Sequence, residues 1–254
     1  MLVDLHVVAG DDGPALDGVF KACAAAGLDG LCLVGQGKAP PMDEARRLAA
    51  AGGLAVFFGV EFAVDRGRLM WIPEDPAVLD GDWRACVGEQ PSAADVSSLA
   101  GEIGGIVVVV QPYDRRGGPA FTDGVYQLQD VDAVEIANAG QERIPSNLAL
   151  EAALRRKLST VAGTGSLGGI TDIGRTATVL LTPVADQAGL VEVIRAGDTW
   201  AVELLTSIEP AAMPRREQDD YSGRDRGRDG DRGPRRDGGR RHGGPRDGPP
   251  RDRN

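Results

Sequence analysis

Between residues 2 and 204 short β-rich runs alternate with Ala/Leu-rich helical runs, and this alternation narrows the fold more than any other feature of the chain. Strand-like runs fall at 2–8, 30–34, 54–60, 68–72, 106–110, 131–137, 160–163, 176–181 and 199–204. Helical runs fall at 14–26, 43–51, 93–103, 145–157 and 187–196, and the stretch 73–91, which holds Trp83, reads as irregular. The five residues from Ile106 to Val110 are all β-branched, the pattern of a strand buried on both faces. Such alternation predicts parallel strands joined by crossover helices, with the strand-to-helix loops gathered at one end, where barrel active sites sit. The first helix is expected to take Asp12 as N-cap and Pro14 near its first position, with Gly27 ending it and Gly52-Gly53 closing the second.

Charge divides the chain. Residues 215–254 hold 13 Arg and 9 acidic residues, a net of +4, which leaves 15 basic and 29 acidic residues, a net of −14, in 1–214. The segment 215–254 contains no Leu, Ile, Val, Phe or Met. It cannot bury enough apolar surface to offset chain entropy, so a disordered Arg/Gly/Asp-rich tail is expected after a single domain over 1–214. An acidic domain is a poor surface for polyanions. The tail can contact RNA weakly through phosphates and stacking, although its acidic residues cancel most of its charge and Tyr221 is its one aromatic. Cys23, Cys32 and Cys86 have no metal spacing and read as buried free thiols. Asp4, Asp11 and Asp12 interrupt any leader-like apolar stretch, and no apolar run approaches the ~20 residues of a membrane span. A cytoplasmic protein without membrane contact is expected.

Histidine is scarce: the globular part has His6 alone, and His242 lies in the tail. The run Val3-Asp4-Leu5-His6-Val7-Val8 resembles the first strand of the PHP (polymerase and histidinol phosphatase) family, which normally ends in His-x-His; Val8 stands at the second position. Further segments resemble the same family in order. Ala26-Gly27-Leu28-Asp29-Gly30 is similar to its helix-to-strand turn. Val34-Gly35-Gln36 stands where a Thr-Asp-His-type motif is usual, and Gly59-Val60-Glu61 is similar to a Gly-x-Glu segment whose glutamate bridges metals. Val110-Gln111-Pro112-Tyr113 resembles a His-Pro segment, and Asp132 to Ile136 with Asn138 the strand that follows. The stretch from Ala162 to Leu167 takes the place of a Gly-Ser-Asp-Ala-His motif, with Gly165 for the aspartate and Leu167 for the histidine; residues 173–178 and 193–197 resemble the closing segments. The resemblance covers roughly residues 1–204. It implies a distorted (β/α)7 TIM-like barrel of the PHP type and, for active members, metal-dependent phosphoesterase chemistry.

The pocket positions that the resemblance marks are His6, Val8, Asp12, Gln36, Glu61, Gln111, Gly165 and Leu167. A multinuclear centre needs several imidazoles and carboxylates converging on one pocket. Val8, Gly165 and Leu167 offer no side-chain ligand, and an amide such as Gln36 or Gln111 is a weak oxygen donor suited to hard cations. His6, Asp12 and Glu61 are the residual metal candidates. No metal or other cofactor is expected beyond at most one weakly bound divalent cation. A buried carboxylate is costly unless paired, so Glu61 is expected to pair with His6, while Gln36 and Gln111 are expected to bond each other across the vacated pocket. Arg115, Arg116 and Arg175 are candidate anion binders at its mouth. The glycine-rich run 163–169 lacks a Walker lysine, and one core histidine without a nucleophile motif makes no serine triad.

These readings converge on a PHP-like protein that has lost its metal site and hydrolase activity and acts as a non-catalytic binding or regulatory protein. Its partner would be a small polar or anionic ligand or another protein. The alternatives are a residual metal-dependent phosphoesterase using His6, Asp12 and Glu61, with Gln36 and Gln111 on substrate, and an RNA-associated adaptor working through the tail.

Overall fold

The computed structural model of the chain describes residues 1–8, 15–165 and 169–204. Nine strands form one sheet: β1 (Leu2–Val8), β2 (Gly30–Gln36), β3 (Ala55–Val64), β4 (Gly67–Ile72), β5 (Ile106–Val110), β6 (Ala133–Asn138), β7 (Ser159–Gly163), β8 (Thr176–Leu180) and β9 (Thr199–Glu203), in the order β7-β6-β5-β4-β3-β2-β1-β8-β9. Five α-helices accompany them: α1 (Leu16–Ala25), α2 (Met42–Gly52), α3 (Ala93–Ile103), α4 (Arg143–Arg156) and α5 (Gln187–Ala196). The sheet curls into a nearly closed, distorted TIM-like barrel.

Seven strands run one way, but β4 is antiparallel to β3 and β5, and β8 is antiparallel to β1 and β9. The expectation of uniformly parallel strands is therefore corrected. Only Asp65 and Arg66 separate β3 from β4, which is room for a hairpin turn and not for a crossover. Two 3₁₀ turns, Pro76–Asp80 and Trp83–Cys86, lie in the segment expected to be irregular.

Helix ends follow local chemistry. Ser92 and Asp95 form a reciprocal capping box at the start of α3, and Asp186 accepts from the Gly189 N–H at the start of α5. Gly53 closes α2 in the left-handed conformation at φ 66°. Ala15, not Asp12, occupies the N-cap position of α1, with no side-chain cap; Asp12 lies outside the described residues. Helix α4 starts at Arg143, two residues before the expected boundary, and carries Pro145 in its first turn, where the missing N–H leaves no helix bond unmade.

Two apolar clusters divide the core. One lies between the outer faces of the strands and helices α1–α4, and includes Leu31, Leu33, Val60, Phe62, Leu69, Trp71, Val107 and Val109. The other fills the lumen with Val3, Leu5, Cys32, Val34, Phe57, Met70, Ile72, Ile106, Val108 and Val110. Leu190, Val191 and Ile194 of α5 belong to the lumen cluster, and Arg195 and Gln187 bond Gly105 O, Pro73 O and the Phe58 backbone at the N-terminal ends of the parallel strands. Helix α5 thus stoppers that end of the barrel and leaves the other as its mouth. Cys23 and Cys32 are buried as expected, whereas Cys86 is exposed.

No backbone ladder joins β7 to β8 and β9. Side chains do so: Thr178 Oγ1 donates to Ala162 O at 2.9 Å and accepts from Ala162 N at 2.8 Å. Thr176 Oγ1 donates to Gly163 O at 2.7 Å and Thr199 Oγ1 to Thr160 O at 2.9 Å. Asp4 continues the seam towards the mouth by accepting from the Thr164 N–H at 2.8 Å and from its hydroxyl.

Candidate functional site

The mouth is built from strand ends. In the β1–β2 register Asp4 faces Leu31 and Val7 faces Leu33, so Leu5 and His6 together oppose Cys32. This extra residue is a bulge. Leu31 and Leu33 belong to the outer cluster and Cys32 to the lumen, so the bulge turns His6 inward beside Leu5 where strict alternation would send it out. The backbone is pinned there: Gly165 N donates to His6 O at 2.7 Å, and a Cβ on Gly163 would lie 2.4 Å from His6 N. Only glycine permits β7 to approach β1 so closely.

His6 is 1% exposed and lies between two carboxylates. Its Nδ1 is 3.0 Å from Glu135 Oε1 in a hydrogen bond, and its Nε2 is 2.9 Å from Glu61 Oε2. The second contact is an ion pair off the line of a directed hydrogen bond, so Nε2 and Oε2 lack one. Asn138 donates to Glu135 Oε1 at 3.4 Å. Burial by itself would lower the basicity of the imidazole, but the charge and hydrogen bond of Glu135 and the close charge of Glu61 outweigh it and push the pKa up to about 10. His6 is therefore imidazolium at neutral pH. Burial opposes ionisation of Glu61 too, yet His6, Arg68 and Gln36 hold its carboxyl below the usual range. Burial raises the pKa of Asp4 despite the hydrogen bonds from Thr164 and the His6 N–H.

The expected partnership of Glu61 with His6 is present, with Glu135 as a second partner that sequence reasoning passed over. The inward parity of Glu135 on the strand after Gln111 was the available signal. Gln36 and Gln111 do not bond each other. Gln36 is exposed and engages Glu61, whereas Gln111 is buried with a left-handed φ of 42° and accepts through Oε1 from Arg68. Val8 is half-buried at the rim. Gly165 has φ 82°, and a Cβ there would fall 1.6 Å from Asn138 Nδ2, so the aspartate of the family pattern cannot stand at this position in this backbone. Asp12 and Leu167 lie outside the described residues, as does the tail 215–254 with its expected disorder and RNA contact.

The three arginines differ in what they engage. Arg116 is held by Asp114 through a bidentate ion pair, Nε lying 3.0 Å from Oδ1. Arg175 pairs with Asp172 at 3.0 Å, and Arg115 is exposed on its loop. Beside Glu61 a cleft of about 830 Å³ opens between the ends of β2 and β3 and the second 3₁₀ turn, lined by Gln36, Glu61, Phe62, Trp83, Arg84 and Glu89. Among the described residues no group of three or more His, Cys, Asp or Glu is placed to hold a metal ion, and no helix is long and apolar enough to cross a membrane.

No family model and no curated protein matches the sequence. Solved structures do match its fold. A candidate metal-dependent phosphoesterase from Bifidobacterium adolescentis superposes with a TM-score of 0.54 at 14% identity, over 66% of this chain and 90% of its own. An amidohydrolase from Chromobacterium violaceum, with bound sulfate and no metal, superposes with a TM-score of 0.54 at 17% identity, over 68% of this chain and 89% of its own. At this level of identity the likeness concerns the fold.

Proposed function

We propose that this chain is a non-catalytic binding or regulatory protein, a PHP-like barrel whose metal centre has been exchanged for a closed set of charged side chains. The observation that carries the reading is the occupation of His6 on both ring nitrogens by carboxylates. A metal at either ring nitrogen would have to displace a carboxylate that already lies within 3.0 Å of it and take the proton held between them. Two further family positions among the described residues fit a metal no better. Gln111 spends its oxygen on Arg68, and Gly165 has no room for a side chain. No hydrolytic step is derived from such a donor set.

The cleft beside Glu61 is the place for a small polar ligand, since it combines the apolar surfaces of Phe62 and Trp83 with Gln36, Arg84 and Glu89. The decisive experiment joins elemental analysis of protein purified without chelator to an assay of phosphomonoester hydrolysis with Mn²⁺, Zn²⁺ and Mg²⁺. Less than one metal per chain and no turnover are expected. Two or more metals per chain, with hydrolysis abolished by Glu61→Gln, would replace this reading by that of an active metal-dependent phosphoesterase.

A further inference from the structure

Arg115 and Arg116 are neighbours in the sequence, and the loop after β5 gives them different partners. The backbone of that loop is pinned: Asp114 N donates to Gln111 O at 3.1 Å and Thr122 N to Pro112 O at 2.7 Å. The buried Asp114 carboxylate accepts from the Arg116 backbone N–H at 3.0 Å and holds the Arg116 guanidinium. Arg115 is exposed, and among the described residues nothing pairs with its guanidinium. An ordered loop thus presents one held arginine and one whose donors face only water.

A second guanidinium reaches the same place from another element. Asp65 and Arg66 are the two residues between β3 and β4. Packing ties this hairpin to the loop, because Phe121 lies so close to the Gly67 backbone that a Cβ there would fall 2.5 Å from its ring. A cleft of about 490 Å³ opens beside them, lined by Arg66 and Arg115 with Gly118, Phe121, Asp123 and Gly124. It shares no lining residue with the cleft beside Glu61. Arg66 is 67% exposed and lies 3.9 Å from Asp65, a surface pair that contributes little and yields readily to a ligand. Asp123 is the one carboxylate of the lining, and its Oδ1 accepts from the Tyr113 hydroxyl at 3.3 Å. Two guanidiniums thus stand against one carboxylate, in a domain whose residues 1–214 carry a net charge of −14.

We propose that this cleft is a binding site for a dianionic phosphate group, clamped by Arg66 from the hairpin and by Arg115 from the loop. A guanidinium offers its N–H groups in a planar fork that matches phosphate oxygens. Two such forks answer the about two negative charges of a phosphate monoester better than the single charge of a carboxylate. The volume falls in the range of small-molecule sites and leaves room for a group esterified to the phosphate. Cβ positions on Gly118 and Gly124 would meet nothing within 4 Å, so the loop backbone stands open on this side.

The test is a titration of the full chain, in phosphate-free buffer, followed by ¹H–¹⁵N correlation NMR. The Gly118 and Gly124 amide signals are expected to shift saturably with inorganic phosphate. Arg66→Gln and Arg115→Gln should each weaken that binding at least fivefold, while Arg47→Gln, at an exposed position on α2, should leave it unchanged. Acetate at equal ionic strength should bind at least tenfold more weakly than phosphate. Glycerol 3-phosphate bound more tightly than inorganic phosphate would support the site with an ester as its ligand, and the reverse order would support it with free phosphate. Unmoved glycine signals, native-like binding by both arginine variants, or a response confined to residues 215–254 overturns the proposal. Acetate binding as tightly as phosphate overturns it too, since the cleft would then be an unselective cationic surface.

Discussion

His6 illustrates how neighbours reassign a side chain. An imidazole at a strand end is by default a metal ligand or a general base, titrating near neutrality. Here two carboxylates take both nitrogens and the ring becomes a fixed cation. Gly165 makes the complementary point. A return to the aspartate of the family pattern would look like repair of a missing ligand, yet the residue has a positive φ and Asn138 fills the space beyond it. Gly165→Asp is expected to cost roughly 2–5 kcal/mol through backbone strain and overpacking, and to leave Mn²⁺ affinity unchanged. Urea denaturation and a Mn²⁺ titration check the two halves; a neutral substitution would show that Asn138 yields more easily than its hydrogen bonds imply.

At the scale of elements, reversal and closure place the site. The hairpin that turns β4 around carries Arg68 to the mouth; a parallel strand of the same sequence would carry it to the stoppered end. The closing seam is made by hydroxyls, because β7 meets β8 through threonine side chains and not through a ladder. Thr178 both donates and accepts there, so Thr178→Val keeps the shape and loses two bonds. A loss of about 1–3 kcal/mol is expected, together with faster amide hydrogen exchange in β7 than in β2. Equal protection of the two strands would mean that the seam contributes nothing to closure.

For the molecule as a whole, the mouth links stability to pH. The folded pKa of His6 is raised from 6.5 to about 10, so its contribution is complete below pH 6.5 and is lost as pH rises through about 10. Across that window the native state holds one more proton than the unfolded chain, and stability should fall by up to about 1.4 kcal/mol per pH unit. Glu61, with its folded pKa lowered, acts at the other end: its contribution is present above 4.5 and is lost as pH falls through its depressed value. Asp4, with a raised pKa, works against Glu61, its ionised form being disfavoured in the fold. Urea midpoints measured from pH 6.5 to 10 should therefore decline. With two histidines in the chain, proton NMR should also resolve an imidazole that stays charged until about pH 10. A flat stability profile with both rings titrating near 6.5 would show that the carboxylates do not hold the proton.

What the sequence determined alone was local. Runs of β-branched residues, Ala-rich helical stretches and the glycines that close helices each act over a few residues, and so the nine strands and five helices of the described residues were legible to within a few positions at their ends. The partnership of Glu61 with His6 was legible too, because a carboxylate at a core strand end requires a cation and the globular sequence holds one histidine. Only the tertiary structure decided the direction of β4 and β8, the second carboxylate on His6 and the place of Arg68. Glu135 lies 129 positions from His6 and Gln111 43 from Arg68. Nothing in the neighbourhood of either residue announces its partner, because strand direction and barrel closure set such contacts, and these are settled by the burial of the whole sheet.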